Sequence, residues 1–354
     1  MIYSPEEAGS LVIRAGKALQ KSGLIVRTYG NISARISETQ FVITPSGRAY
    51  EDLTPADIVV VNVADGTYEG NIKPSSELGV HRESYRIHPE AGFVIHTHQA
   101  YASAISVLGV DFKTYRNSPE EKSRYAMLGS TVPCAAYGPS STKELSDHVA
   151  KQMEKHPDAK SVLMRNHGAL CIGEDYEEAF DVTHALEAFA EEIFTVHVTN
   201  DHKKEWIIKE IVSSPGSSCC PDPEKQQLLS KYAVFTDMPY LLHWSNYGKR
   251  EMKAYLDDFA MAVGVTVPTL PAEPSEEELK AAFEGREAVF LKGRGAICVG
   301  EDEEEAGAVA MILEKGSMAA LCAMEAGGKP LSHRHAVHDR EVYVNSYAAL
   351  KKKS

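Results

Sequence analysis

Apolar residues in the first half of the chain recur with two periods, and the change from one to the other marks out alternating elements. Leu11, Ala15, Ala18 and Leu19 fall at helical spacing, and Gly23 suits a C-terminal cap, so a helix is predicted over 5–23. Short apolar runs follow at Phe41-Val42-Ile43 and Ile58-Val59-Val60-Val61, with turn signals at Pro45-Ser46-Gly47 and Asp65-Gly66. These read as strands. A helix over 76–87 leads into a strand carrying Phe93-Val94-Ile95-His96-Thr97-His98. Beyond it the pattern predicts a helix over 143–155, a strand ending at Met164, and a return strand Ala169-Leu170-Cys171-Ile172. A long helix over 177–197 turns Ala179, Val182, Leu186, Phe189 and Ile193 inward. The elements form a mixed α/β layer whose loops converge on histidines.

The pattern breaks at Ser213-Ser214-Pro215-Gly216-Ser217-Ser218-Cys219-Cys220-Pro221-Asp222-Pro223, a composition expected of a linker. The chain then repeats itself. Val289-Phe290-Leu291-Lys292-Gly293-Arg294-Gly295-Ala296-Ile297-Cys298-Val299-Gly300 mirrors Val162-Leu163-Met164-Arg165-Asn166-His167-Gly168-Ala169-Leu170-Cys171-Ile172-Gly173, at a constant offset of 127 residues. Arg294 stands where the first copy has His167. More loosely, Ala233-Val234-Phe235-Thr236-Asp237 follows Val94-Ile95-His96-Thr97-His98, with Phe235 and Asp237 at the histidine positions. This reads as a duplication whose second copy kept a strand–turn–helix frame and lost its metal ligands. The expected organisation is a catalytic domain over 1–212, a linker over 213–226 and a truncated copy over 227–354.

A length of 354 residues suits two cores better than one. The formal charge of −13 disfavours a nucleic-acid partner, whose phosphates want a basic face. Lys351-Lys352-Lys353 reads as a solvated end. No run of about 18 apolar residues predicts a membrane span. The start of the sequence lacks the basic and apolar regions of a secretion signal. Cys134, Cys171, Cys219, Cys220, Cys298 and Cys322 form no C-x-x-C pair, so reduced thiols, a cytoplasmic location and a histidine-held metal are expected.

Residues i and i+2 of a strand share a face, so His96 and His98 project their imidazoles together. An isolated strand histidine is ordinarily a hydrogen-bonded core residue; a pair flanked by apolar residues forms a pincer for an ion. His167, in Arg165-Asn166-His167-Gly168, offers a third imidazole, and Glu77 a carboxylate at a helix start. Three imidazoles and a carboxylate suit zinc, although manganese, cobalt or iron would accept the same site. A carboxylate near both metal and substrate can serve as a general base. Three loops fit an anion: Thr28-Tyr29-Gly30-Asn31-Ile32-Ser33, Thr44-Pro45-Ser46-Gly47 and Pro74-Ser75-Ser76-Glu77. They combine hydroxyl and amide donors, glycines and a helix N-terminus, as a phosphate cradle requires. The cluster His333, His335 and His338 reads as polar surface or as a wall near an active site.

The ordered set Gly30-Asn31-Ile32-Ser33, Ile43-Thr44-Pro45-Ser46-Gly47, Pro74-Ser75-Ser76-Glu77, His96-Thr97-His98 and Asn166-His167-Gly168 resembles the class II aldolase/adducin family over about residues 5–200. The resemblance implies a three-layer αβα fold with a mainly antiparallel central sheet. It implies one Zn²⁺ per site held by His96, His98 and His167, with Glu77 approaching the metal and acting as base. Asn31, Ser46, Gly47, Ser75 and Ser76 would bind substrate phosphate, and Tyr115 would donate a proton. The implied reaction is that of a lyase: cleavage of a ketose 1-phosphate, fuculose-phosphate-like, to dihydroxyacetone phosphate and an aldehyde. A sugar-phosphate 4-epimerase and a non-catalytic adducin-like module are the alternatives. Glutamate after the serine pair favours the aldolase branch. The implied assembly is a homo-oligomer, either a tetramer or a dimer in which each second copy serves as a pseudo-subunit.

Overall fold

In a computed structural model of the chain, which describes residues 2–114, 124–199, 219–247 and 251–347, Ser4 opens the first helix. Its hydroxyl accepts from the Glu7 N–H, Pro5 occupies the first turn, and the helix Pro5–Lys21 ends two residues before the expected Gly23. The chain then builds β1 (Gly30–Arg35), β2 (Gln40–Ile43), β3 (Val59–Asn62) and, after the helix Leu78–Ile87, β4 (Phe93–Thr97). The helix Ala100–Ser106 leads to β5 (Phe112–Lys113), β6 (Thr131–Val132) and β7 (Cys134–Ala135). After the helix Lys143–Lys155 come β8 (Ser161–Met164), β9 (Ala169–Gly173) and the helix Tyr176–Thr199. A seven-stranded sheet runs β3-β2-β1-β4-β9-β8-β7, while β5 and β6 pair separately. Every neighbouring pair in the large sheet is antiparallel except β7 and β8.

Alternation along the strands divides the core between two faces. Val94, Val162, Met164, Leu170 and Ile172 join Val80, Tyr85, Leu145, Val149 and Met153 in one apolar cluster under the helices Leu78–Ile87 and Lys143–Lys155. Phe93 points the other way and meets the rings of Tyr3 and Tyr176, at the starts of two helices on the opposite face. Helices therefore cover both faces of an α/β sheet, the three-layer arrangement expected from the sequence. Each large side chain buried this way contributes about 1.5–3 kcal/mol. His96 and His98 follow Val94 at strand spacing, which carries both onto the face under the helix Leu78–Ile87.

The chain divides into two units between Glu192 and Ile193. In the second, β10 (Cys219–Pro221), β11 (Tyr232–Thr236), β12 (Glu251–Lys253), β13 (Thr266–Leu270), β14 (Ala288–Leu291) and β15 (Gly295–Gly300) form a sheet ordered β10-β11-β15-β14-β13-β12. The stretch read as a linker is thus partly structured: β10 and the helix Pro223–Leu229 occupy its second part, while 200–218 lie outside the described residues. A strand containing Pro221 is tolerable at a sheet edge, where a missing N–H breaks no inner ladder.

The order β10-β11-β15-β14-β13 reproduces β1-β4-β9-β8-β7, including the single parallel pair, β13 with β14. The match extends to individual atoms. A Cβ on Gly168 would meet the Thr97 carbonyl oxygen at 2.3 Å, and one on Gly295 would meet that of Thr236 at 2.2 Å. Asn166 adopts a left-handed φ of 57°, and Gly293, its counterpart, one of 69°. The Glu187 carboxylate accepts the N–H groups of Tyr101 and Ala102 at 2.8 and 3.0 Å. Glu314, 127 residues on, accepts those of Tyr240 and Leu241 at 2.9 and 2.7 Å. The described second unit has no counterpart of β2 or β3, and the shorter helix Pro223–Leu229, between β10 and β11, stands where the first unit has Leu78–Ile87.

The helix Glu303–Ala326 is long and apolar enough to cross a membrane, yet most of it is buried within its unit, against β11 and β15. Its central pair, Glu314 and Lys315, interrupts the apolar run in the sequence. Lys315 is buried and pairs with buried Asp258.

Candidate metal centre

β4 delivers His96 and His98 to one face, and the turn between β8 and β9 delivers His167. Gly168 permits that turn to lie against the backbone of Thr97, because any side chain there would strike a carbonyl. Glu77 immediately precedes the helix Leu78–Ile87, which begins later than the expected residue 76. Its N–H donates to Ser75 Oγ at 3.3 Å, and its carboxylate makes no helix-capping bond. The carboxylate turns instead toward the histidines: Oε2 lies 3.0 Å from His96 Nε2, and Oε1 lies 3.3 Å from His167 Nε2. His96 Nε2 is 3.1 Å from His98 Nε2 and 3.2 Å from His167 Nε2. All four residues are buried, and their ligand atoms lie within 4.8 Å of one another.

The donor set tests whether a cation fits. His96 Nδ1 lies 2.9 Å from the Ala169 carbonyl oxygen, which can only accept, so Nδ1 carries the proton. A neutral ring then presents a bare lone pair at Nε2, facing a carboxylate and two further imidazole nitrogens. That convergence is repulsive in itself, and a divalent cation turns it into ligation. The backbone bond to Nδ1 is the outer-shell support that fixes a ligating histidine's tautomer. For Glu77, burial pushes the carboxyl up, but the charge and hydrogen bonds of His96 and His167 in their protonated forms outweigh it and hold the group well below the usual range; a divalent cation between neutral rings would act in the same direction. Glu77 is therefore an anion at neutral pH.

The three anion loops lie side by side. Asn31 pairs in register with His96 across β1 and β4. The Thr44 N–H donates to the Ile32 carbonyl at 3.0 Å, the Ser75 N–H to the Thr44 carbonyl at 2.9 Å, and the Ser46 N–H to the Lys73 carbonyl at 3.0 Å. Gly47 is exposed with φ +69°, a left-handed backbone that accounts for glycine at this turn. Ser46 and Ser76 are half-buried, and Ser75 and Asn31 buried. Tyr115 lies outside the described residues.

The sequence reading missed Ser140, His81 and Tyr85, and it placed Ser33 in an anion loop without this role. Ser140 Oγ donates to Glu77 Oε1 at 2.8 Å. Ser33, His81 and Tyr85 form a buried polar chain behind Asn31, whose Nδ2 donates to Glu77 Oε2 at 3.2 Å. A signal existed: Asn31, Ser33 and Arg35 alternate as polar residues on the inward face of a strand. Arg35 satisfies its burial by donating to the carbonyls of Ala91 and Tyr85, each at 2.7 Å.

Comparison with known proteins places this arrangement. The sequence profile of the class II aldolase and adducin N-terminal domain matches residues 10–194 and 230–321, one segment in each unit. The chain is 35% identical over 181 residues to 5-deoxy-D-ribulose 1-phosphate aldolase of Bacillus thuringiensis serovar kurstaki, spanning 51% of this chain and 81% of that one. It is 32% identical over 227 residues to a 5-methylthioribulose-1-phosphate/5-deoxyribulose-1-phosphate aldolase of Rhodospirillum rubrum, spanning 64% and 91%. A solved L-fuculose 1-phosphate aldolase superposes with a TM-score of 0.50 at 28% identity, covering 58% of this chain and 95% of that one. With the profile matched in both halves and the sheet order repeated, the chain belongs to the class II aldolase/adducin family and is a lyase of its aldolase type.

Proposed function

We propose that the protein cleaves a ketose 1-phosphate to dihydroxyacetone phosphate and an aldehyde, with zinc held by His96, His98 and His167 of a catalytic domain over residues 1–212. The observation that carries this reading is the closure of three imidazoles and one carboxylate around a single point. A bound divalent cation supplies Lewis-acid stabilisation of the enediolate charge that develops beside the carbonyl. Glu77, an anion at neutral pH, moves the proton on the carbon next to the carbonyl: it removes that proton in condensation and returns it after cleavage. Ser140 and Asn31 each donate to one of its oxygens and hold the carboxylate in place. The loops bearing Asn31, Ser46, Gly47, Ser75 and Ser76 grip the phosphate, so binding energy remote from the reacting carbon fixes its orientation. Tyr115 is proposed to donate a proton to the aldehyde oxygen in condensation and, in cleavage, to take that proton from the hydroxyl that becomes the aldehyde.

Relatives acting on 5-deoxyribulose, 5-methylthioribulose and fuculose 1-phosphates support a substrate of this class. Metal analysis of the purified protein, followed by a screen of ketose 1-phosphates for released dihydroxyacetone phosphate, tests the reading. Release of both fragments marks an aldolase; a rearranged phosphate without free aldehyde would mark an epimerase. Glu77→Gln is expected to keep its metal and lose turnover, and normal activity in that variant would refute the base assignment.

A further inference from the structure

Behind the metal centre, one hydrogen-bond chain crosses from β1 to the helix Leu78–Ile87, and the chemistry of its members fixes its direction. Asn31 Nδ2 faces the Glu77 carboxylate at 3.2 Å, and a carboxylate accepts, so the amide nitrogen is the end turned to it. Asn31 Oδ1 therefore faces His81 Nε2, at 2.5 Å, and needs a donor there. His81 thus carries its proton on Nε2, and Nδ1 is left to accept from Ser33 Oγ at 2.7 Å. Ser33 has then spent its proton, so the Tyr85 hydroxyl, 2.9 Å away, donates to it. Donation runs one way, from Tyr85 through Ser33 and His81 to Asn31 and on to Glu77. Ser33 and His81 are fully buried and Tyr85 nearly so, which leaves no bulk water to substitute for a missing partner. Burial pushes the His81 imidazole down to about 3, so it stays neutral in this single tautomer.

We infer that His81 is a positioning residue for Glu77: its Nε2–H, fixed by Ser33 and Tyr85, selects the Asn31 rotamer that presents N–H rather than C=O to the carboxylate. An asparagine flipped by 180° would set its oxygen against Glu77 and drive the carboxylate away from the imidazoles. The two ends of an amide have nearly the same shape, so packing alone cannot make this choice. The inference rests on Glu77 acting at the metal, as proposed above.

The test compares His81→Leu, His81→Gln and Ser33→Ala in the full chain, with Glu77→Gln in parallel. It reads kcat, KM, melting temperature and the visible bands of the cobalt(II)-substituted protein. Loss of such outer support typically costs 10–100-fold, so His81→Leu is expected to lower kcat by about that factor with KM unchanged, and to shift the cobalt bands. Gln can offer an N–H where the imidazole Nε2 stood, so His81→Gln is expected to restore most of kcat and the bands. Ser33→Ala, a mild change in the strand, is expected to fall between them, and it carries the test if His81→Leu fails to fold. Wild-type kcat and bands in both His81→Leu and Ser33→Ala would overturn the inference. So would equal losses in His81→Leu and His81→Gln that follow melting temperature alone. If Glu77→Gln keeps full turnover, the base assignment has failed. The cobalt bands of His81→Leu then still report whether the carboxylate moved.

Discussion

Glu77 is gripped from two sides by hydroxyl and amide donors and faces two imidazoles, so each contact has a measurable consequence. Ser140→Ala removes the donor to Oε1 without touching a metal ligand. It is expected to lower kcat by roughly tenfold, the lower end for an outer-shell contact, with metal content unchanged by elemental analysis. His96 sits within 3.2 Å of the reactive atoms of His98, His167 and Glu77. His96→Ala is therefore expected to abolish stoichiometric metal in purified protein, whereas His333→Ala should leave it intact. The convergence of the three histidines was legible because strand periodicity alone puts His96 and His98 on one face, and the His167 turn adjoins an obvious apolar strand. His81, Tyr85 and Ser140 were not, nor was the bond of Ser33 to His81, because a buried hydroxyl or imidazole takes its meaning from what approaches it in space. His81 and Tyr85 lie four apart on a helix, which shows a shared face but not that Asn31 and Ser33 lie opposite.

The turn between β8 and β9 shows how one element sets the site. Gly168 lies against the carbonyl of Thr97, between the two β4 histidines, and a methyl group would approach it at 2.3 Å. Gly168→Ala is expected to push the turn off β4, reduce metal occupancy and cost about 1–3 kcal/mol of stability, as overpacking does. Gly295→Ala makes the same clash with Thr236 in the second unit, with φ +126° as a further penalty, and should leave metal content unchanged. Metal analysis beside chemical denaturation of both variants separates the two effects. Elements with strong periodicity were readable from the sequence to within a turn, as with the helix Lys143–Lys155. The strand Cys219–Pro221 was hidden because its proline and neighbouring serines signal a break, and only pairing with β11 makes it a strand.

At the scale of the whole molecule, each unit has its own apolar core, and the four converging side chains Glu77, His96, His98 and His167 all belong to the first. A chelator should therefore lower the melting of the first unit, since a ligand present at 1,000 times its Kd contributes about 4 kcal/mol. The second unit carries a different sensitivity. Burial pushes the Glu314 carboxyl up to about 7, against the pull of the two backbone N–H groups that it accepts. A carboxyl raised on folding contributes stability that is full below about 4.5 and is lost as pH rises through about 7. Stability of this unit should fall between pH 5 and 8, by less than about 1.4 kcal/mol per pH unit because Glu314 keeps some exposure. Denaturation across that range should show the slope, and Glu314→Gln should flatten it. The repeat itself was visible as sequence identity around Gly168 and Gly295. The shared carboxylate clamp was not, because Tyr101 and Tyr240 lie at a different offset from that of Glu187 and Glu314.

Asn166 and Gly293, the left-handed residues at the tip of the same turn in either half, amount to an internal control. The half that has an imidazole beside this bend carries an asparagine there, with the steric penalty of a side chain in the left-handed region, and the other half has glycine, which adopts it freely. Exchanging the two, Asn166→Gly and Gly293→Asn, would measure within a single polypeptide how much backbone discomfort a catalytic loop tolerates and what it receives in return.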